Sequence, residues 1–135
     1  MRLIFFMKSK YNSFLAGLVL CVIFIIISCK HHKYAKIKFE KDEILFSANK
    51  GEKVVATYQF RNDGKDSLAI ISANGTCNCT DIQYPGKPIA PGDTASLTVN
   101  YNSAYDSAGG VIKRVLVESN TDPILTILVL KGILK

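Results

Sequence analysis

The sequence predicts an all-β protein: an immunoglobulin-like β-sandwich of about seven strands, preceded by an N-terminal signal or lipoprotein helix. Three observations carry that expectation. Apolar residues in the C-terminal two thirds recur with a period of two, the spacing of a half-buried strand. Turn residues interrupt this pattern every 8 to 12 positions or so, as they do in sandwiches. No segment after Cys29 sustains a helical period, and 135 residues leave room for one ordinary domain. A small barrel is the alternative architecture.

The N-terminus is the first element. Phe14 to Ile27 form an uncharged apolar run of 14 residues, preceded by Lys8 and Lys10. Such a run suits a secretory signal and falls short of the roughly 20 residues that cross a bilayer. Ile26-Ile27-Ser28-Cys29 resembles a bacterial lipobox, in which the cysteine thiol receives a diacylglycerol and becomes the first mature residue. The resemblance implies a signal peptide over 1–28, lipidation at Cys29, a basic tether over 29–38 and a domain over 39–135. An uncleaved membrane anchor is the other reading. Met7-Lys8-Ser9-Lys10 makes a conventional signal start, whereas Leu3-Ile4-Phe5-Phe6 does not, so translation is expected to begin at Met7.

Charge follows the same division. The whole chain carries 17 basic and 11 acidic residues, a formal +6, which on its face invites a nucleic-acid partner. Residues 39–135 hold 10 basic and 11 acidic groups, or −1. The excess sits in the signal and in Lys30, Lys33, Lys36 and Lys38, so no nucleic-acid partner is expected. The tether lysines are read as a solvated spacer, with contact to anionic headgroups as the alternative. The expected address is the cell envelope, lipid-anchored in the outer membrane and facing the periplasm. Lys30 is not the aspartate associated with inner-membrane retention in some bacteria.

The strands follow in order. One is expected around Glu43 to Ser47, before the turn at Asn49-Lys50-Gly51. Val54, Ala56, Tyr58 and Phe60 alternate with Val55, Thr57 and Gln59, and Asn62-Asp63-Gly64-Lys65-Asp66 supplies turn chemistry. Leu68, Ile70 and Ser72 mark the next strand. Pro85, Pro88 and Pro91-Gly92 then punctuate a connection that cannot be helical. Ala95, Leu97, Val99 and Tyr101 alternate with Ser96, Thr98 and Asn100 in the cleanest half-buried pattern of the chain. Val111 to Glu118 and Ile124 to Leu134 complete the set. The last is apolar on both phases, so a central position is expected.

The spaced motifs resemble a family. Gly51-Glu52-Lys53-Val54, Tyr58-Gln59-Phe60-Arg61-Asn62-Asp63-Gly64, Thr76-Cys77-Asn78-Cys79-Thr80, Pro88-Ile89-Ala90-Pro91-Gly92 and Val117-Glu118-Ser119-Asn120 follow one another, with Leu130-Lys131-Gly132 near the end. This order resembles the bacterial family called domain of unknown function 1573 (DUF1573), commonly envelope lipoproteins with a fold similar to immunoglobulin-like ASH/MSP domains. The resemblance covers roughly Phe39 to Leu134 and brings no catalytic residues with it. The family pattern usually reads Ser-Cys-Gly-Cys-Thr; here Thr76 and Asn78 stand in the first and third places.

Cys77 and Cys79 are the sharpest chemical feature. Cβ atoms two apart on a straight strand lie too far apart for a disulfide, so a bridge needs a tight turn, for which Asn74-Gly75 and Asn78 are suited. A ring this small closes little chain entropy and is comparatively easy to reduce. The pair is expected to be structural, as a local disulfide or two small buried thiols. Thiol exchange or metal handling is the alternative. No Lys, Arg or His lies within several residues to lower a thiol pKa, and two thiolates make half a zinc shell.

His31 and His32 both lie in the tether, so Ser-His and Cys-His nucleophiles have no base in the domain, and no enzyme, metal or cofactor is expected. Asp66-Ser67-Leu68, Asp93-Thr94-Ala95 and Asp106-Ser107-Ala108 resemble an acceptor motif for periplasmic O-glycosylation, which marks Ser67, Thr94 and Ser107; ordinary turn chemistry explains the same residues. The function expected is a lipid-anchored, non-enzymatic interaction or scaffold module. Its partner would be an envelope protein or glycan, and its membrane contact the N-terminal lipid.

Overall fold

Alternation decides which side of each strand is covered, and the computed structural model, which describes residues 34–135, follows it through eight strands. The expected signal, the Met7 start, Cys29, His31 and His32 lie outside the described residues. The strands are β1 (Ile37–Phe39), β2 (Glu43–Ala48), β3 (Lys53–Asn62), β4 (Ile70–Gly75), β5 (Thr80–Gln83), β6 (Thr94–Asn102), β7 (Gly109–Ser119) and β8 (Leu125–Leu134). A single 3-10 turn, Ser103–Tyr105, follows β6.

Two four-stranded sheets result, ordered β1-β3-β6-β5 and β2-β8-β7-β4. Neighbours are antiparallel except β2 and β8, which run parallel from Glu43↔Val129 to Ala48↔Leu134. β8 is central, as its apolar phases predict, and the architecture is a β-sandwich.

Three details depart from the expected strand list. β1 and β5 are additional strands, because β1 is three residues long and β5 has Ile82 as its one apolar residue, too little in either for a readable alternation. β4 begins after Leu68 and runs through Asn74 and Gly75, which pair with Leu116 and Val115 of β7 instead of turning. Leu68 forms its own bridge to Ile89, with N–H to carbonyl distances of 2.9 and 2.8 Å. Both residues are buried, and the bridge fastens the proline-rich connection to the core.

Packing begins before β1. Ala35 is buried beside a bridge to Thr121, and the Tyr34 carbonyl accepts from the Lys65 N–H at 2.8 Å. Lys36 and Lys38, counted with the tether by charge, flank Ile37 in the folded chain.

The core lies between the sheets. Tyr58, Phe60, Leu97, Val99 and Tyr101 face Val115, Val117, Leu128 and Leu130, all within 1% of complete burial. Each such side chain contributes on the order of 1.5–3 kcal/mol through removal from water. The Tyr58 hydroxyl crosses the sandwich to donate to the Val129 carbonyl at 2.7 Å, and burial pushes this phenol up to about 12. Phe46 lies directly over Gly132, its register partner, where any Cβ would collide with the ring. Its ring meets Tyr101 edge-on at 5.7 Å between centroids.

Asn62 ends β3 fully buried and acts as an organiser of the following turn. Its Nδ2 donates to the carbonyls of Asp66 (2.8 Å) and Ile89 (3.0 Å), while Oδ1 accepts from the Gly64 N–H at 3.0 Å. A buried amide is tolerated only when its donors and acceptor are satisfied in this way.

Candidate functional site

The chain passes from the edge of one sheet to the edge of the other between β4 and β5, and the two domain cysteines occupy that crossover. Residues 76–79 form a tight turn, with Cys77 and Cys79 joined by a disulfide across Asn78 and their Cα atoms 5.2 Å apart. Gly75 permits the approach. A Cβ there would run into the Thr80 side chain, whose Oγ1 donates to the Cys77 carbonyl at 3.2 Å. The Thr76 N–H donates to the Arg114 carbonyl (3.0 Å) and the Asn102 N–H to the Cys79 carbonyl (2.9 Å). The turn is thus held on both sides by hydrogen bonds that do not involve sulfur.

The two sulfurs are not equivalent. Cys79 is 7% exposed and belongs to the core, whereas Cys77 is half-buried at its margin and Asn78 is exposed. A cleft of about 230 Å³ opens beside them, lined by Cys77, Asn78, Cys79, Tyr105, Asp106 and Lys113. A second cleft, about 390 Å³, shares Asn78, Cys79 and Tyr105 with the first and includes Lys53, Asp81 and Asn100. Tyr105, which lines both, is 75% exposed.

Lys113 is what sequence reading missed. No basic residue is near the cysteines in the chain, yet Lys113 projects from the inner phase of β7 into their cleft. Its Nζ donates to Asp106 Oδ2 at 2.7 Å and sits 5.3 Å from the centre of the Tyr101 ring. The buried Tyr101 hydroxyl donates to the same carboxylate oxygen at 2.6 Å. Lys113, then Tyr101, hold the Asp106 carboxyl below the usual carboxylate range, while burial and then Asp106 push the Tyr101 phenol up. The only sequence signal for the cluster is a lysine on an otherwise apolar inward phase: Val111, Lys113, Val115, Val117.

The remaining expected sites separate widely. Ser67 and Ser107 lie exposed in two different loops, and Thr94 is exposed as the first residue of β6. Asp63, in the turn after β3, is bound by Arg61 (2.5 Å) and Lys38 (3.9 Å). Among the described residues no three His, Cys, Asp or Glu side chains converge as metal ligands.

The outer faces of the two sheets differ in character. On β3 and β6 the outward residues are mostly polar, Lys53, Thr57, Gln59, Arg61, Ser96, Thr98 and Asn100, with Val55 as the one large aliphatic among them, 64% exposed. On β2, β7 and β8 they include Leu45, Ile112, Leu125, Ile127 and Ile133, each between 47% and 70% exposed. Register places Leu45 and Ile112 on either side of Lys131.

Comparison with known proteins agrees with this architecture. A family model described as "Protein of unknown function (DUF1573)" matches residues 37–134. No curated protein matches the chain. A crystal structure of a protein of unknown function from Porphyromonas gingivalis superposes with a TM-score of 0.67 at 14% identity, covering 78% of this chain; the match spans 50% of that protein. The ASH/PapD-like domain 7 of human CEP192 matches with a TM-score of 0.56 at 13% identity, over 74% of this chain and 85% of that one. The periplasmic chaperone SfaE matches at 0.53 and 11% identity, over 74% and 57%. Identities this low speak to an immunoglobulin-like, PapD-like fold alone.

Proposed function

This chain belongs to the DUF1573 family, and from that premise we propose that it is a lipid-anchored envelope protein whose domain is a non-enzymatic interaction module. The anchor reading rests on Ile26-Ile27-Ser28-Cys29 after an uncharged run of 14 apolar residues. The interaction reading rests on one observation: the outer face of the β2-β8-β7-β4 sheet carries five large aliphatic side chains in water. Large aliphatic side chains gathered on one sheet face, here interleaved with Lys131, have the composition of a contact surface, whereas aliphatic residues scattered singly need no explanation. Its chemistry suits an envelope protein better than a glycan, which polar and aromatic groups would recognise. The outer membrane, periplasmic side, is the proposed location, and the exposed Ser67, Thr94 and Ser107 are proposed glycan acceptors.

The test uses the full-length protein in its native envelope. The double variant Leu45→Lys/Ile127→Lys should fold normally, because surface changes cost little, within about 0.5 kcal/mol each. It should lose the cross-linked protein that the unaltered chain and the variant Gln59→Lys on the opposite face both retain. Retention of the same partner by the double variant would contradict the reading. Replacement of Cys29 by serine should abolish the lipid and leave residues before position 29 attached, a change read by intact mass, and a processed chain that still carries lipid would contradict the anchor.

A further inference from the structure

We infer that the Cys77–Cys79 bond is a thiol-exchange site, attacked at the Cys77 sulfur from the cleft that Lys113 lines. This does not rest on the interaction-module reading; either can fail alone. Four observations meet here. The bond spans one intervening residue, and three hydrogen bonds without sulfur already hold its turn, so its stapling value is small. It lies in an exposed crossover, not within a ladder. The two sulfurs differ in access, Cys77 at the margin and Cys79 in the core. A cleft of about 230 Å³ opens on them and contains a lysine ammonium.

The chemistry balances with an external thiol as co-reactant. A thiolate attacks Cys77 Sγ, a mixed disulfide forms, and the electron pair of the broken bond leaves on Cys79 Sγ, which takes up a proton. A second thiolate attacks the external sulfur of the mixed disulfide and releases Cys77 Sγ. Two thiols have become one disulfide, and two electrons and two protons rest on Cys77 and Cys79. The reverse sequence reduces a partner's disulfide. Thiolates are the reacting species, so a nearby cation that favours negative sulfur speeds both directions. Lys113 has three N–H donors and the structure engages one of them on Asp106, which positions the ammonium at the cleft wall. Because the turn is held independently of the bond, reduction leaves the two sulfurs facing one another, ready to reclose.

Cys79→Ser leaves the accessible thiol and Cys77→Ser the buried one. With oxidised glutathione as probe, intact mass should show the mixed disulfide forming on Cys77 at least about tenfold faster than on Cys79. Equal rates would overturn the assigned polarity. In the unaltered protein, reduced glutathione should open the bond while far-UV circular dichroism stays native. A single-cysteine peptide, run in parallel, reports whether a free small thiol or a polypeptide thiol reacts faster. No reaction with either, in a folded protein, would overturn the proposal. Lys113→Met should slow opening on the order of threefold to tenfold, whereas Asp106→Asn, which leaves the ammonium unopposed in the cleft, should not slow it. An unchanged rate in Lys113→Met would remove Lys113 from the site.

Discussion

Reducing the Cys77–Cys79 bond takes away a cross-link but should leave its turn in place, and the loss of stability can be worked out. The bond closes a loop of three residues, since the cysteines are two apart. The chain-entropy relation gives such a loop about 1.6 kcal/mol at 25 °C, against about 3 kcal/mol for a loop of fifteen residues. The hydrogen bonds at Thr76, Thr80 and Asn102 remain after reduction and keep the native turn populated. With a urea dependence of roughly 1.5 kcal/mol per molar for a domain of this size, the unfolding midpoint should fall by about 1 M. The assay is urea unfolding with and without a phosphine reductant. It can be followed by far-UV circular dichroism and tyrosine fluorescence, because the chain has six tyrosines and no tryptophan. Reductive unfolding in buffer, or a loss above about 4 kcal/mol, would refute the reasoning: the crossover would then depend on its sulfur bridge, at the upper end of what disulfides contribute.

Three other outcomes follow from named contacts. Asn62→Ala should cost about 3 kcal/mol in urea unfolding, because it strands the Asp66 and Ile89 carbonyls and the Gly64 N–H in a buried corner; a loss under about 1 kcal/mol would contradict the organising role. Asp106 has a depressed carboxyl pKa, so its contribution is complete above the ordinary aspartate value near 4 and disappears as pH falls through the folded value. The stability difference between the native chain and Asp106→Asn should therefore be largest at neutral pH and shrink below about pH 4, and a difference that grew on acidification would contradict the ion pair. Gly75→Ala should displace the Thr80 side chain and cost about 1–3 kcal/mol, with faster amide exchange at Thr76 and Asn102; unaltered exchange there would contradict the close approach.

Strands with several inward residues were legible in the chain, and those defined by pairing alone were not. β3 and β6 present Val54-x-Ala56-x-Tyr58-x-Phe60 and Ala95-x-Leu97-x-Val99-x-Tyr101, and each has one buried face where expected. β8 is apolar on both phases and central, yet its second phase faces water instead of another layer, which sequence alone does not distinguish. β5 offers only Ile82 to the core, and β4 continues through Asn74-Gly75 because β7 lies alongside to receive it. The parallel pairing of β2 with β8 joins segments some eighty residues apart and leaves no local mark. The same applies to the site: the tight turn at Cys77 could be argued from two cysteines one residue apart, but the approach of Lys113 and Asp106 arises from the packing of the β6–β7 connection against the β4–β5 turn.

The most direct measurement is the intact mass of the protein extracted from native membranes, recorded with and without reductant. The account predicts a polypeptide beginning at Cys29 and carrying a diacylglyceryl modification, with a gain of two hydrogens on reduction as the Cys77–Cys79 bond opens. A membrane-bound form that retains residues before Cys29 and carries no lipid would contradict it.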